Sequence, residues 1–231
     1  MDGAAGMAKK RGVAEGKGAG RTSIWLRPAR PPRDDAGLSR ERIVAAAIEL
    51  LDAEGIDGLT MRGLADRLGS GVMSLYWHVE TKEDVFDLAL DSVLVYDAPP
   101  PAGDWREDVV HALTDWRAAM LRHPWSAALL PRRALGPNVL ARLERLGRGG
   151  IADADLNAAI WTLWNQVLGA TITRVSFDVP AGERAATQDQ LAQPGEGLPT
   201  IARTRLLLDD DWDGAFRKGL EAVLDGLSSK R

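Results

Sequence analysis

The sequence predicts an all-α protein with a helix-turn-helix unit near its N-terminus. Apolar residues recur at three- and four-residue spacing through most of the 231 residues. The runs open on Ser, Thr or Asp and several close on Gly, the residues that cap helices. No period-two alternation long enough for a strand occurs, and there is no internal repeat.

Residues 1–37 are rich in Gly, Ala, Pro and Arg, with no burial period apart from Ile24-Trp25-Leu26, so a disordered basic arm is expected there. The first helix opens at Ser39, carries Ile43, Ala47, Leu50 and Leu51 on one face, and stops at Gly55. The second opens at Thr60, buries Leu64 and Leu68, and stops at Gly69. The turn Gly69-Ser70-Gly71 is short and glycine-bearing, as a two-helix DNA motif requires. The third helix, about Val72 to Val79, is too short and polar to be a core helix. The fourth opens on the capping pattern Thr81-Lys82-Glu83-Asp84 and runs to about Tyr96.

Pro99-Pro100-Pro101 and Gly103 mark a break between a head at 38–96 and a body at 104–231. The body reads helical over 105–122, again after Pro124, and over 138–148. In that last segment Val139, Leu143 and Leu146 share one face and Arg142, Arg145 and Arg148 the other. A long helix follows from about Asp153 through Ile172. Residues 178–200, broken by Pro180, Pro194 and Pro199, read as a mobile loop with one short helix, and a final helix spans about Trp212 to Leu227.

Composition narrows the function classes. The chain has no cysteine, so disulfides, thiolate metal sites and cysteine nucleophiles are absent. With three histidines and no Gly-x-Ser-x-Gly or His-x-x-x-His, neither a catalytic constellation nor a metal site is expected. Asp209, Asp211, Asp213 and Gly214 open like a calcium loop, but its twelfth position is Leu220, so an acidic helix cap is the reading. No apolar run reaches the roughly 18 residues that span a bilayer and no secretory signal is visible, so a cytoplasmic protein is expected.

Net charge is -4, unevenly spread. Residues 1–37 hold eight Lys/Arg against four Asp/Glu, residues 38–95 five against eleven, and the remainder sixteen against eighteen. An acidic reading head has few cations for phosphates, so the basic arm is expected to supply them.

The block Leu38–Leu94 resembles the tetracycline-repressor (TetR) family of transcriptional regulators. The resemblance is carried by Gly58-Leu59-Thr60, Leu64-Ala65, Leu68-Gly69 and Leu75-Tyr76-Trp77-His78-Val79 followed by Lys82. The rest of the chain matches the family only in layout. By matching positions, the resemblance implies that Val72, Met73, Ser74 and Tyr76 face the major groove and that Arg62 reaches a base, with the O6/N7 edge of guanine as its expected partner. Thr60, His78 and Lys82 contact phosphates, and Trp77 packs on the sugar–phosphate edge or a thymine methyl. Val72 and Met73 offer no hydrogen bonds, so Arg62 carries much of the specificity.

The resemblance further implies an effector pocket in the body, for which Trp116, Met120, Trp161, Trp164 and Asn165 are the wall candidates, with a small hydrophobic or aromatic effector. It implies a homodimer through the long and final helices, acting on double-stranded operator DNA. The expected function is a ligand-released repressor that is not an enzyme and needs no cofactor. The alternative is a DNA-binding activator or architectural protein without a ligand, which a filled core behind the tryptophans would favour.

Overall fold

The computed structural model describes residues 22–28, 37–97, 103–148, 150–193 and 198–228. Among these the chain forms eleven α-helices and three short 3-10 segments, with no strand. The helices of the head are α1 (Arg40–Gly58), α2 (Met61–Leu68), α3 (Val72–His78) and α4 (Lys82–Val93). Those of the body are α5 (Trp105–Arg122), α6 (Pro124–Leu129), α7 (Pro137–Leu146), α8 (Leu156–Ser176), α9 (Ala181–Leu191), α10 (Pro199–Thr204) and α11 (Trp212–Ser228).

The caps fall where side-chain chemistry puts them. Ser39 Oγ accepts from the Arg42 N–H at 3.2 Å, Thr60 Oγ1 from Gly63 at 3.0 Å, and Thr81 Oγ1 from Asp84 at 3.2 Å. Gly55 breaks α1 at φ 71°, and Gly69 ends α2 in the left-handed region at φ 63°, where a side chain would be strained. Before α11, Asp211 Oδ1 accepts from the Gly214 N–H at 2.9 Å, the work of a helix cap.

In the head α1 packs on α2 and α4, and α2 packs on α3. In the body α5, α8 and α11 form the central layer. The two parts share one apolar core, because α1 and α4 also meet α6, and α4 meets α7.

Four sequence expectations change. Residues 22–28 are not part of a disordered arm: Ile24–Leu26 form a 3-10 turn, and Arg27 pairs with Glu80 and Asp84 of the head. Residues 1–21 and 29–36 of that arm lie outside the described residues. The segment 178–200 holds an eleven-residue helix, α9, and the start of α10, because Pro180 and Pro199 stand at helix starts, where proline is tolerated. Helix α4 stops at Val93 instead of Tyr96. Finally, Arg142 does not face outward; it is 1% exposed.

The last two have one cause. Arg142 of α7 donates from Nε to the Leu94 carbonyl at 2.7 Å and from Nη2 to Val95 O at 3.0 Å and Asp115 Oδ2 at 2.8 Å. Those carbonyls belong to the chain leaving α4. In return, buried Asp91 of α4 accepts the first N–H groups of α7: Asn138 at 3.0 Å and Val139 at 3.2 Å, both on Oδ1. Each helix thus caps the other.

Candidate nucleic-acid interface and body groove

Helix α3 is two-sided. Leu75 and Val79, 0% and 1% exposed, seal one side against the core. Met73 at 75% and Trp77 at 53% stand outside on the other, with Tyr76 less exposed between them. A seven-residue helix has little cohesion of its own, so this inner pair, backed by α2, sets how the outer side chains are presented. Val72, expected at the groove, is half-buried and packs on the core; Ser74 is also half-buried.

Arg62 lies exposed in the first turn of α2 and makes no ion pair with any described residue. Thr60, exposed at the α2 cap, already accepts an N–H, and its own hydroxyl proton remains available to donate. Lys82 opens α4 with its Nζ 5.1 Å from the Phe86 ring centroid. His78 is half-buried and its Nε2 is enclosed, so only Nδ1 could meet a phosphate. Its carbonyl accepts from Arg40 Nη2 at 3.3 Å. Arg67 is committed to Glu49 at 2.6 Å and adds no free charge. Thr60, Arg62, Met73, Tyr76 and Trp77 are therefore exposed, while Val72, Ser74, His78 and Lys82 are half-buried.

The five body candidates differ in exposure. Trp116, Met120 and Trp164 are 1%, 0% and 6% exposed within the core, whereas Trp161 is 54% exposed and Asn165 faces solvent. Trp161 instead lines an open groove of about 770 Å³ between α7 and α8, with Leu140, Leu143, Leu156 and Ile160 as apolar walls and Glu144 and Asn157 as polar groups. Leu140 was legible in principle: it is the apolar residue of α7 that falls off the stripe formed by Val139 and Leu146.

Groove and head are joined by packed rings. Trp161 meets Trp164 edge-on at 5.7 Å, and Trp164 meets Trp116 at 5.4 Å and 87°. The Arg142 guanidinium sits 5.6 Å from the Trp116 ring and 4.8 Å from Tyr96. Burial depresses the affinity of Arg142 for its proton, and the bond to Asp115 opposes that loss. Among the described residues no group of three His, Cys, Asp or Glu could hold a metal ion, and no helix is long and apolar enough to cross a membrane.

Comparison with known proteins agrees with this geometry. Residues 43–89 match the family model described as bacterial regulatory proteins, tetR family, and residues 98–231 match the tetracyclin repressor-like C-terminal domain. A transcriptional regulator of the helix-turn-helix type from Saccharopolyspora erythraea is 38% identical over 90% of this chain and 92% of its own. The transcriptional repressor DrrR1 of Streptomyces coeruleorubidus is 34% identical over 87% and 80%. The crystal structure of ActR from Streptomyces coelicolor in complex with actinorhodin superposes with a TM-score of 0.70 at 33% identity, covering 84% of this chain and 98% of that one.

Proposed function

The chain belongs to the tetracycline-repressor family of DNA-binding transcription regulators, and from that premise we propose that it is a ligand-responsive repressor. As a homodimer in the cytoplasm it would bind a near-palindromic operator through two heads, residues 38–96, set about one turn of DNA apart (~34 Å). A small hydrophobic or aromatic effector, bound by the body, residues 104–231, would release it.

The observation that carries the DNA reading is the outward edge of α3, Met73, Tyr76 and Trp77, held by an inner face that is fully sealed. For the effector, support comes from the α7–α8 groove, whose apolar walls and single carboxylate suit an aromatic ligand with one polar group. The mutual caps of α4 and α7 give an occupant of that groove a route to the head. An effector shifts the equilibrium only by as much as it prefers one state, so the coupling is reciprocal.

Selection of bound fragments from random DNA, followed by titration of aromatic compounds into the complex, tests this reading. Actinorhodin is a rational first compound, given its presence in the ActR complex. Operator DNA must weaken compound binding by the same factor by which the compound weakens DNA binding. A second reading, an activator or architectural protein without a ligand, is favoured by the filled core at Trp116, Met120 and Trp164. No aromatic compound would then alter DNA binding.

A further inference from the structure

Besides the clasp between α4 and α7, the head is tied to the body through α1. Asp52, on the last turn of α1 before Gly55 breaks that helix, meets the joint between α5 and α6. Its Oδ1 accepts from Trp125 Nε1 at 2.7 Å, and His123 Nδ1 lies 2.9 and 3.0 Å from its two oxygens. A carboxylate only accepts, so Nδ1 carries the proton of that contact. The two donor rings stand at 60° with centroids 6.1 Å apart, which lets one carboxylate meet both. His123 ends α5 and precedes α6, and buried Trp125 is the second residue of α6. That six-residue helix touches α1 and α4 of the head and α5 and α8 of the body.

The placement of this tie matters more than its strength. On α4, Arg133 donates to Asp87 and to the Glu83 carbonyl, both at 2.6 Å, and Arg142 donates to the Leu94 carbonyl at 2.7 Å. Those bonds follow one helix, and a rigid head held along one helix can still roll about that helix's axis. Asp52 lies on a second helix, off that axis, so its bonds resist the roll. The apolar contact of α1 with α6 is non-directional and tolerates sliding, whereas a hydrogen bond weakens steeply as its angle closes. In a dimer, the roll of each head sets the distance and phase between the two copies of α3. One extra base pair between half-sites moves one of them by about 3.4 Å and by about a tenth of a turn. A head that cannot roll cannot follow that change.

We propose that Asp52 determines which half-site spacing the protein accepts, by locking the roll of the head against α6 through Trp125 and His123. Asp52 is a positioning residue that acts through α1, so the sequence of each half-site is read as before. The proposal deepens the reading of the chain as a DNA-binding dimer and rests on it.

The test uses the full chain and the half-site that wild type selects from random DNA. Duplexes carry two copies at the selected spacing, or one or two base pairs closer or farther apart. Wild type should prefer the selected spacing over its neighbours, and Asp52→Ala should weaken that preference about tenfold, the scale of one charged hydrogen-bond set. Its preferred half-site sequence should not change. Asp52→Asn keeps an acceptor for the Trp125 N–H and should recover most of the preference. Trp125→Phe keeps the buried ring and the His123 contact and should fall between, and it decides the matter if Asp52→Ala fails to fold. An equal loss of affinity at every spacing, or an unchanged preference in Asp52→Ala and Trp125→Phe, overturns the role of Asp52 and leaves the dimer reading intact. A wild type that selects unpaired half-sites, or none, overturns both.

Discussion

Arg142 Nε donates to the carbonyl oxygen of Leu94 across 2.7 Å, so a side chain of α7 closes the end of α4. With Asp91 of α4 closing the start of α7, the two helices are tied at both ends of their contact. Helix α4 is the head's bridge to the body, and α7 is one wall of the groove. Interfaces of this kind shift between discrete arrangements more readily than they stretch.

Removing Arg142 should be expensive. Arg142→Met leaves Asp115 without its partner and two carbonyls at the end of α4 without donors. The expected loss is about 3 kcal/mol, the usual scale for breaking a buried charged hydrogen-bond set. Arg142→Lys should recover less than half of it, because an ammonium cannot reach three acceptors in a planar fork. Urea unfolding of both variants checks this; equal stabilities to wild type would mean the clasp contributes nothing.

Two buried acids of α4, Asp87 and Asp91, should make the protein less sensitive to mild acid than its charge suggests. Burial pushes the carboxyls of Asp87 and Asp91 above their ordinary values, against the pull of Arg133 on one and of the Asn138 and Val139 N–H groups on the other. A raised folded-state pKa means the native state binds more protons than the unfolded chain in the interval between the two values. Stability from these groups is thus fully present below the ordinary carboxylate pKa and lost as pH rises through the raised one. Wild type should gain stability relative to Asp91→Asn as pH falls from about 7 to about 4. Denaturation of both at a series of pH values measures it, and a difference that is flat or runs the other way refutes it.

Why the head was legible and the clasp was not follows from range. Thr60, Gly69 and Thr81 act on backbone groups within a few residues, so their roles can be read from neighbours in sequence. Arg142 acts on Leu94 and Val95, 48 and 47 residues away, and its position among Arg145 and Arg148 resembles an ordinary solvated stripe. The same limit applies to the tryptophans: spacing marks Trp116, Trp161 and Trp164 as apolar anchors. Only packing separates the two that are buried from the one that lines the groove. In the arm, Trp25 was visible as an isolated apolar residue, but its hold depends on Arg27 finding Asp84, 57 residues on.

Arg62 should report specificity separately from affinity. It is exposed at the start of α2 and has no ion pair among the described residues, so a base edge would meet it without breaking an existing contact. Arg62→Ala should cost about 1–3 kcal/mol and relax preference at a single operator position. Comparison of selected binding sites for the two proteins checks it. A uniform loss with an unchanged site preference would reassign Arg62 to the phosphates.

Filling the groove should separate effector response from DNA binding. Leu140 is 51% exposed on the α7 wall, opposite Ile160 and Trp161, while Val139 and Arg142 of the same helix point into the core. Leu140→Phe enlarges the wall without touching the clasp or α3, and in an open groove the extra ring meets space before it meets packed atoms. Affinity for a selected operator should stay within about twofold of wild type, since surface changes of this kind usually cost under 0.5 kcal/mol. Any aromatic compound that releases wild type should need a concentration about tenfold higher, the loss expected when a ring-sized volume is removed from an apolar site of this size. Half-exposed Trp161 gives an optical signal for the same titration. Normal release of Leu140→Phe by such a compound would place the effector elsewhere in the body.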